Sequence, residues 1–187
     1  MVRAGLSARS WAPLVLGLVL VAIVLAITIN QVLKDMGGLS ESPVKCSLTS
    51  SNTMGEVNVE YLGQSGIKTL KVSLSEWSEV ARELEKLGYR GECVIVIGLT
   101  TCPYCKSLES FLAQNYVNIA MWLYADKSAE FKDAASKLIM LELKWGVPAN
   151  EVLAVPNAIV LDKKGSPKAI IIGAYLDRNL WDSLLYS

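Results

Sequence analysis

The chain has 187 residues, 18 Lys and Arg against 18 Asp and Glu, a formal net charge of zero, 52% apolar residues and no histidine. The missing histidine excludes Ser-His and Cys-His nucleophiles, histidine zinc ligands and histidine-ligated haem. The absence of any basic run removes the electrostatic footprint of nucleic-acid binding.

Residues 11–29 carry no charge. As a helix they would extend about 28 Å, close to the roughly 30 Å hydrocarbon core of a bilayer, so this segment is expected to span a membrane. Ala26-Ile27-Thr28 is a poor small-x-small cleavage site, which favours an uncleaved signal anchor over a cleavable signal peptide. Arg3, Arg9 and the amino terminus stand against Lys34 and Lys45, a bias that points to an N-terminus in the cytoplasm and a domain outside it. Residues 1–30 are therefore read as cytoplasmic tip and anchor. Residues 31–55, with Gly37-Gly38, Pro43 and a polar run at 47–53, are read as a flexible tether. Residues 56–187 are read as one α/β domain.

That domain opens with alternation at Val57, Val59 and Tyr61, a turn at Gly63-Gln64-Ser65-Gly66 and a second alternating run over 67–72, which predicts a hairpin. Ser75 is placed to cap a helix whose apolar stripe is Trp77, Val80, Ala81, Leu84 and Leu87, ended by Gly88. Val94, Ile95, Val96 and Ile97 form the unbroken apolar run of a strand buried on both faces. Cys102-Pro103-Tyr104-Cys105 follows, and Leu108, Phe111 and Leu112 then recur at helical spacing, with Pro103 at the first helical position. This puts Cys102 at a helix N-terminus, where orphan N–H groups and the helix dipole stabilise a thiolate and make the sulfur a nucleophile. Cys105, one turn on, can attack any mixed disulfide that Cys102 forms.

Residues 117–124 read as a further strand, and Ser128 caps a helix over 129–145. Leu138, Ile139, Met140, Leu141 and Leu143 make its second half apolar nearly all round, a surface for either the loop at 146–153 or a docking partner. Ala158, Ile159, Val160 and Leu161 form a strand, Asp162-Lys163-Lys164-Gly165 a turn and residues 168–173 its partner strand. Asp177 caps a last helix carrying Leu180, Trp181, Leu184 and Leu185.

The segment Thr101-Cys102-Pro103-Tyr104-Cys105-Lys106, joined to Ala154-Val155-Pro156-Asn157 and the closing hairpin, resembles the thioredoxin superfamily over residues 56–187. The likeness is greatest to its membrane-tethered, extracytoplasmic members. It implies a thioredoxin-like α/β fold with a central mixed sheet flanked by helices. It implies Cys102 and Cys105 as the redox pair, Pro156 in cis, and a substrate groove formed by Pro103, Tyr104, Val155 and Pro156, in which the Val155 backbone pairs with substrate. Two departures stand out. The buried carboxylate that thioredoxins place six residues before the first cysteine is here Val96, so Cys105 lacks the usual base. The glutathione-binding Gly-Gly-x-Asp of glutaredoxins is replaced by Gly173-Ala174-Tyr175-Leu176-Asp177, so glutathione is not the expected partner.

Cys46 and Cys93 remain. An even count in an oxidising compartment suggests that they pair and pin the tether to the sheet. Alternatively Cys93 is an inert buried thiol and Cys46 joins two chains, or the chain is a non-catalytic thioredoxin-fold binding module, held by zinc on all four cysteines or by a structural disulfide, that docks partners through its 138–143 face. The favoured expectation is a membrane-anchored thiol–disulfide oxidoreductase acting on cysteine-containing exported proteins. It needs no organic cofactor and no metal, and a membrane-bound or soluble redox partner reloads its dithiol. The glutaredoxin-like Pro-Tyr dipeptide and the absent acid lean it to oxidase or isomerase rather than dedicated reductase.

Overall fold

The computed structural model describes residues 44–48 and 55–187, so the anchor expected in residues 11–29 lies outside the described residues. Among the described residues no helix is long and apolar enough to cross a membrane.

The alternating run folds as β1 (Glu56–Gly63), which pairs antiparallel with β2 (Gly66–Ser73), Gly63 opposite Gly66. Helix α1 (Leu74–Lys86) begins one turn's edge earlier than Ser75 suggests. Ser73 is its N-cap residue, and Ser75 sits in the first turn with its hydroxyl 2.9 Å from that of Ser73. Its stripe of Trp77, Val80, Ala81 and Leu84 is buried. β3 (Val94–Gly98) is buried at every position, and α2 (Pro103–Asn115) follows. β4 (Ala120–Tyr124) is shorter than its apolar run, because Val117 is exposed and Asn118 turns the chain at a φ of 50°.

Helix α3 (Ala129–Trp145) is capped by the Ser128 hydroxyl, which accepts from the Phe131 N–H, and it ends at Gly146. A short helix that periodicity does not announce, α4 (Ala149–Val152), precedes β5 (Asn157–Leu161), β6 (Pro167–Ile172) and α5 (Arg178–Tyr186). The Asp177 carboxylate caps α5 by accepting the Asn179 N–H at 2.9 Å.

The six strands form one mixed sheet in the order β2-β1-β6-β5-β3-β4, parallel at β1/β6 and β3/β4 and antiparallel elsewhere. Helices flank both faces. Asn157 on β5 lies opposite Ile97 of β3 and donates to Glu142 of α3, whereas the next residue, Gly98, lies against Cys105 of α2. Because successive strand residues point to opposite faces, α2 and α3 cover opposite sides of the sheet. That two-sided cover explains the continuous apolar runs of β3 and β5. The core also takes up most of the apolar second half of α3. Leu138 and Leu141 are buried, Ile139 and Leu143 pack against them, and only Met140, 59% exposed, faces out.

Residues 44–48 run beside the sheet. Cys46 is disulfide-bonded to Cys93, just before β3. The Cys46 N–H donates to the Gly91 carbonyl at 3.0 Å, and the Tyr89 hydroxyl donates to the Cys46 carbonyl at 2.7 Å. The segment crosses directly over Gly165, where an added Cβ would fall 1.8 Å from the Ser47 carbonyl oxygen, so glycine is required there.

Candidate functional site

Where β3 ends, Gly98 leaves a gap that a methyl group would close. An added Cβ would lie 3.3 Å from Cys105 Sγ and 3.4 Å from the Tyr124 ring. The chain then turns through Thr100, whose N–H donates to the Asp126 carboxylate at 2.9 and 3.0 Å and whose hydroxyl donates at 2.5 Å. These bonds hold the Asp126 carboxyl below its ordinary range and tie the turn to the residues after β4.

Cys102 is the N-cap of α2. Its backbone is extended, and its Sγ stands where a serine or aspartate oxygen would, accepting the Cys105 N–H at 3.2 Å. Pro103 supplies the first helical residue without wasting a donor. The sulfur thus meets the free amide end of the helix, where negative charge is favoured. On its other side the Cys102 thiol donates to the Val155 carbonyl at 3.7 Å, and the Val155–Pro156 peptide is cis. The Pro156 carbonyl is fixed by the Gly173 N–H at 2.8 Å, so the end of β6 supports this loop.

Cys102 is half-buried and Cys105 is wholly buried, both as free thiols. Burial, followed by the hydrogen bond with Cys102, pushes the Cys105 thiol up to about 12. Two sulfurs one helical turn apart, one accessible at a helix N-terminus and one sealed behind it, can form and break a disulfide in sequence. Tyr104 is 68% exposed, and Leu99, Leu153 and Leu176 are also exposed. Of the residues singled out in the sequence, Cys102, Cys105 and Val155 meet directly, and Pro103, Tyr104 and Pro156 adjoin them in the chain. Cys46 and Cys93 lie at the opposite end of β3, bonded to each other, so the four sulfurs are not assembled as a zinc site. Among the described residues no group of three or more cysteine and carboxylate side chains could hold a metal ion.

Polar groups around this loop escaped the sequence reading. Glu142 is fully buried on α3, where it accepts from Asn157 Nδ2 at 2.5 Å, and Asn157 directly follows Pro156. Its signal was visible: an acid on the buried stripe of Leu138, Leu141 and Trp145. Glu151 of α4 accepts from the Tyr61 hydroxyl at 2.5 Å and from the N–H groups of Gln64 and Ser65, so the β1–β2 turn is clamped to the segment leading to Pro156. Those bonds, that of Tyr61 first, hold the Glu151 carboxyl below its ordinary range. Tyr124 donates to Glu109 at 2.7 Å beside Cys105, a pairing that only the β3–β4 register reveals.

Desolvation pushes the Glu142 carboxyl up from 4.5 to about 8, so the folded chain holds this proton where the unfolded chain has released it. Its contribution is complete below pH 4.5 and is lost as the pH rises to about 8, at up to about 1.4 kcal/mol per pH unit. Urea unfolding of wild type and Glu142→Gln across pH 5 to 9 checks this. The wild type is expected to weaken relative to the variant as the pH rises, and parallel curves would refute the assignment.

Comparison with known proteins finds no family model that matches the sequence and no curated protein significantly similar to it.

Proposed function

We propose that the chain is a thiol–disulfide oxidoreductase of the thioredoxin-like kind, and the observation that carries this reading is the paired environment of its dithiol. Cys102 caps a helix beside a cis-proline carbonyl segment, and Cys105 is buried one turn behind it. The order of a mixed sheet with helices on both faces is compatible with that fold.

In the reducing direction the Cys102 thiolate attacks a substrate disulfide, forming a mixed disulfide and releasing one substrate sulfur as thiolate. Cys105, once deprotonated, attacks Cys102 Sγ; the second substrate sulfur leaves, and the pair Cys102–Cys105 carries the two-electron oxidation. The oxidising direction runs the same bonds in reverse. The proton that burial holds on Cys105 must leave before the resolving attack and return when the same bond is broken in reverse. The glutaredoxin-like Pro103-Tyr104 dipeptide between the cysteines supports disulfide formation or isomerisation over dedicated reduction.

Anchorage through residues 11–29, with the domain outside the cytoplasm, belongs to the same proposal. The buried Cys46–Cys93 disulfide supports an oxidising compartment. The substrates are then cysteine-containing exported proteins, with a membrane-bound or soluble partner reloading the dithiol. An insulin-reduction assay tests the activity: turnover by the wild type and none by Cys102→Ser is expected, and equal turnover by both would refute the mechanism.

A further inference from the structure

A resolving thiol that is sealed from water must still lose its proton, and no side chain of β3 can take it. Val96 and Gly98, the β3 residues on the Cys105 side, carry no ionisable group. The neighbouring strand supplies what β3 lacks. In the β3–β4 register Tyr124 lies opposite Gly98, so its ring and Cys105 Sγ share the space above that glycine, each within van der Waals reach of the same point. The Tyr124 hydroxyl donates to Glu109 Oε2 at 2.7 Å. Glu109 is also one helical turn beyond Cys105 on α2, a spacing that brings Cβ atoms to about 5–6 Å. A carboxylate is therefore held on the same helix face as the buried thiol, aimed by a phenol that flanks that thiol.

We propose that Glu109, positioned by Tyr124, is the proton acceptor for Cys105. The inference rests on the oxidoreductase reading and fills the place left by Val96. In the resolving step the Cys105 S–H proton passes to the Glu109 carboxylate, and the thiolate electron pair forms the bond to Cys102 Sγ. The bond from Cys102 to the substrate sulfur breaks, and that sulfur leaves with the pair and takes up a proton. Cys102 and Cys105 are oxidised by two electrons and the substrate disulfide is reduced by two. Burial, and then the hydrogen bond to Glu109, push the Tyr124 hydroxyl above its ordinary range, so it stays a donor to that carboxylate. Of the other charged groups nearby, Asp126 after β4 is engaged by Thr100, and Lys106 on α2 is exposed.

The test is rapid mixing of the reduced chain with dithiobis(nitrobenzoate). The first thionitrobenzoate reports attack by Cys102, and the second reports resolution by Cys105. Glu109→Gln is expected to slow the second release about 10²-fold at pH 7 and to make it rise with hydroxide concentration, while the first release is unchanged. Tyr124→Phe, which removes only the hydroxyl, is expected to slow the second release less, and Glu109→Asp to restore part of it. A second release as fast as wild type with the same pH profile in both Glu109→Gln and Tyr124→Phe would overturn the assignment. A wild type that gives no intramolecular second release would overturn the oxidoreductase reading along with it.

Discussion

A Cys105→Ser chain is expected to accumulate mixed disulfides with its substrates through Cys102, and to do so without any added crosslinker. Cys102 is half-buried with its sulfur at the helix terminus, while Cys105 is wholly buried behind it, so only the first sulfur can meet a substrate. Well-oriented intramolecular groups act with effective molarities on the order of 10⁵ M or more. Removing the resolving thiol therefore lengthens the life of the mixed disulfide by several orders of magnitude, leaving only external thiols to break it. Non-reducing gels and peptide mapping of the captured species read the result. Capture by Cys102→Ser instead would reverse the two roles.

Replacing both Cys46 and Cys93 by alanine is expected to cost about 4 kcal/mol of stability, because the bridge closes a loop with a sequence separation of 47. At roughly 2–4 °C per kcal/mol for a chain of this size, the melting temperature falls by about 10 °C. The loss is expected to be local in its origin. Residues 44–48 would keep their bonds to Gly91, Lys163 and Tyr89, and the packing of Ser47 over Gly165 would loosen. The dithiol sits beyond the other end of β3, so the folded variant should retain the reactivity of Cys102. Equal stability of variant and wild type in urea would show that the bridge constrains nothing.

The elements around the dithiol were readable because each rests on a local rule. Val94, Ile95, Val96 and Ile97 announced a two-sided strand, Pro103 a helix start, and Ser128 and Asp177 caps that the structure contains. Boundaries failed where a neighbour intervened. Ser73 rather than Ser75 opens α1, and the β4 strand waits for Ala120 because Asn118 first turns the chain.

The short helix α4 carries no periodicity, yet its Glu151 binds the β1–β2 turn from more than eighty residues away, a contact no local pattern encodes. Glu142 was hidden for a different reason. Its position on the apolar stripe was plain, but the partner Asn157 comes from the far side of a loop. Glu109 carries no signal of its own in the sequence, and Tyr124 reads only as the last residue of the strand expected over 117–124; strand register is what sets the tyrosine opposite Gly98. Side chains that act through long-range pairs thus needed the fold, whereas the two sulfurs, placed by a strand, a turn and a helix in succession, did not.

The most direct test of the account is equilibration of the wild-type chain in glutathione buffers of graded potential, followed by acid quenching, alkylation and peptide mapping of all four cysteines. One two-electron transition is expected between free thiols and a Cys102–Cys105 disulfide, with a midpoint above the roughly −270 mV of thioredoxin, and Cys46–Cys93 bonded throughout. Cys102 and Cys105 that remain free thiols across the whole range, or that take up glutathione separately without ever joining each other, would contradict it.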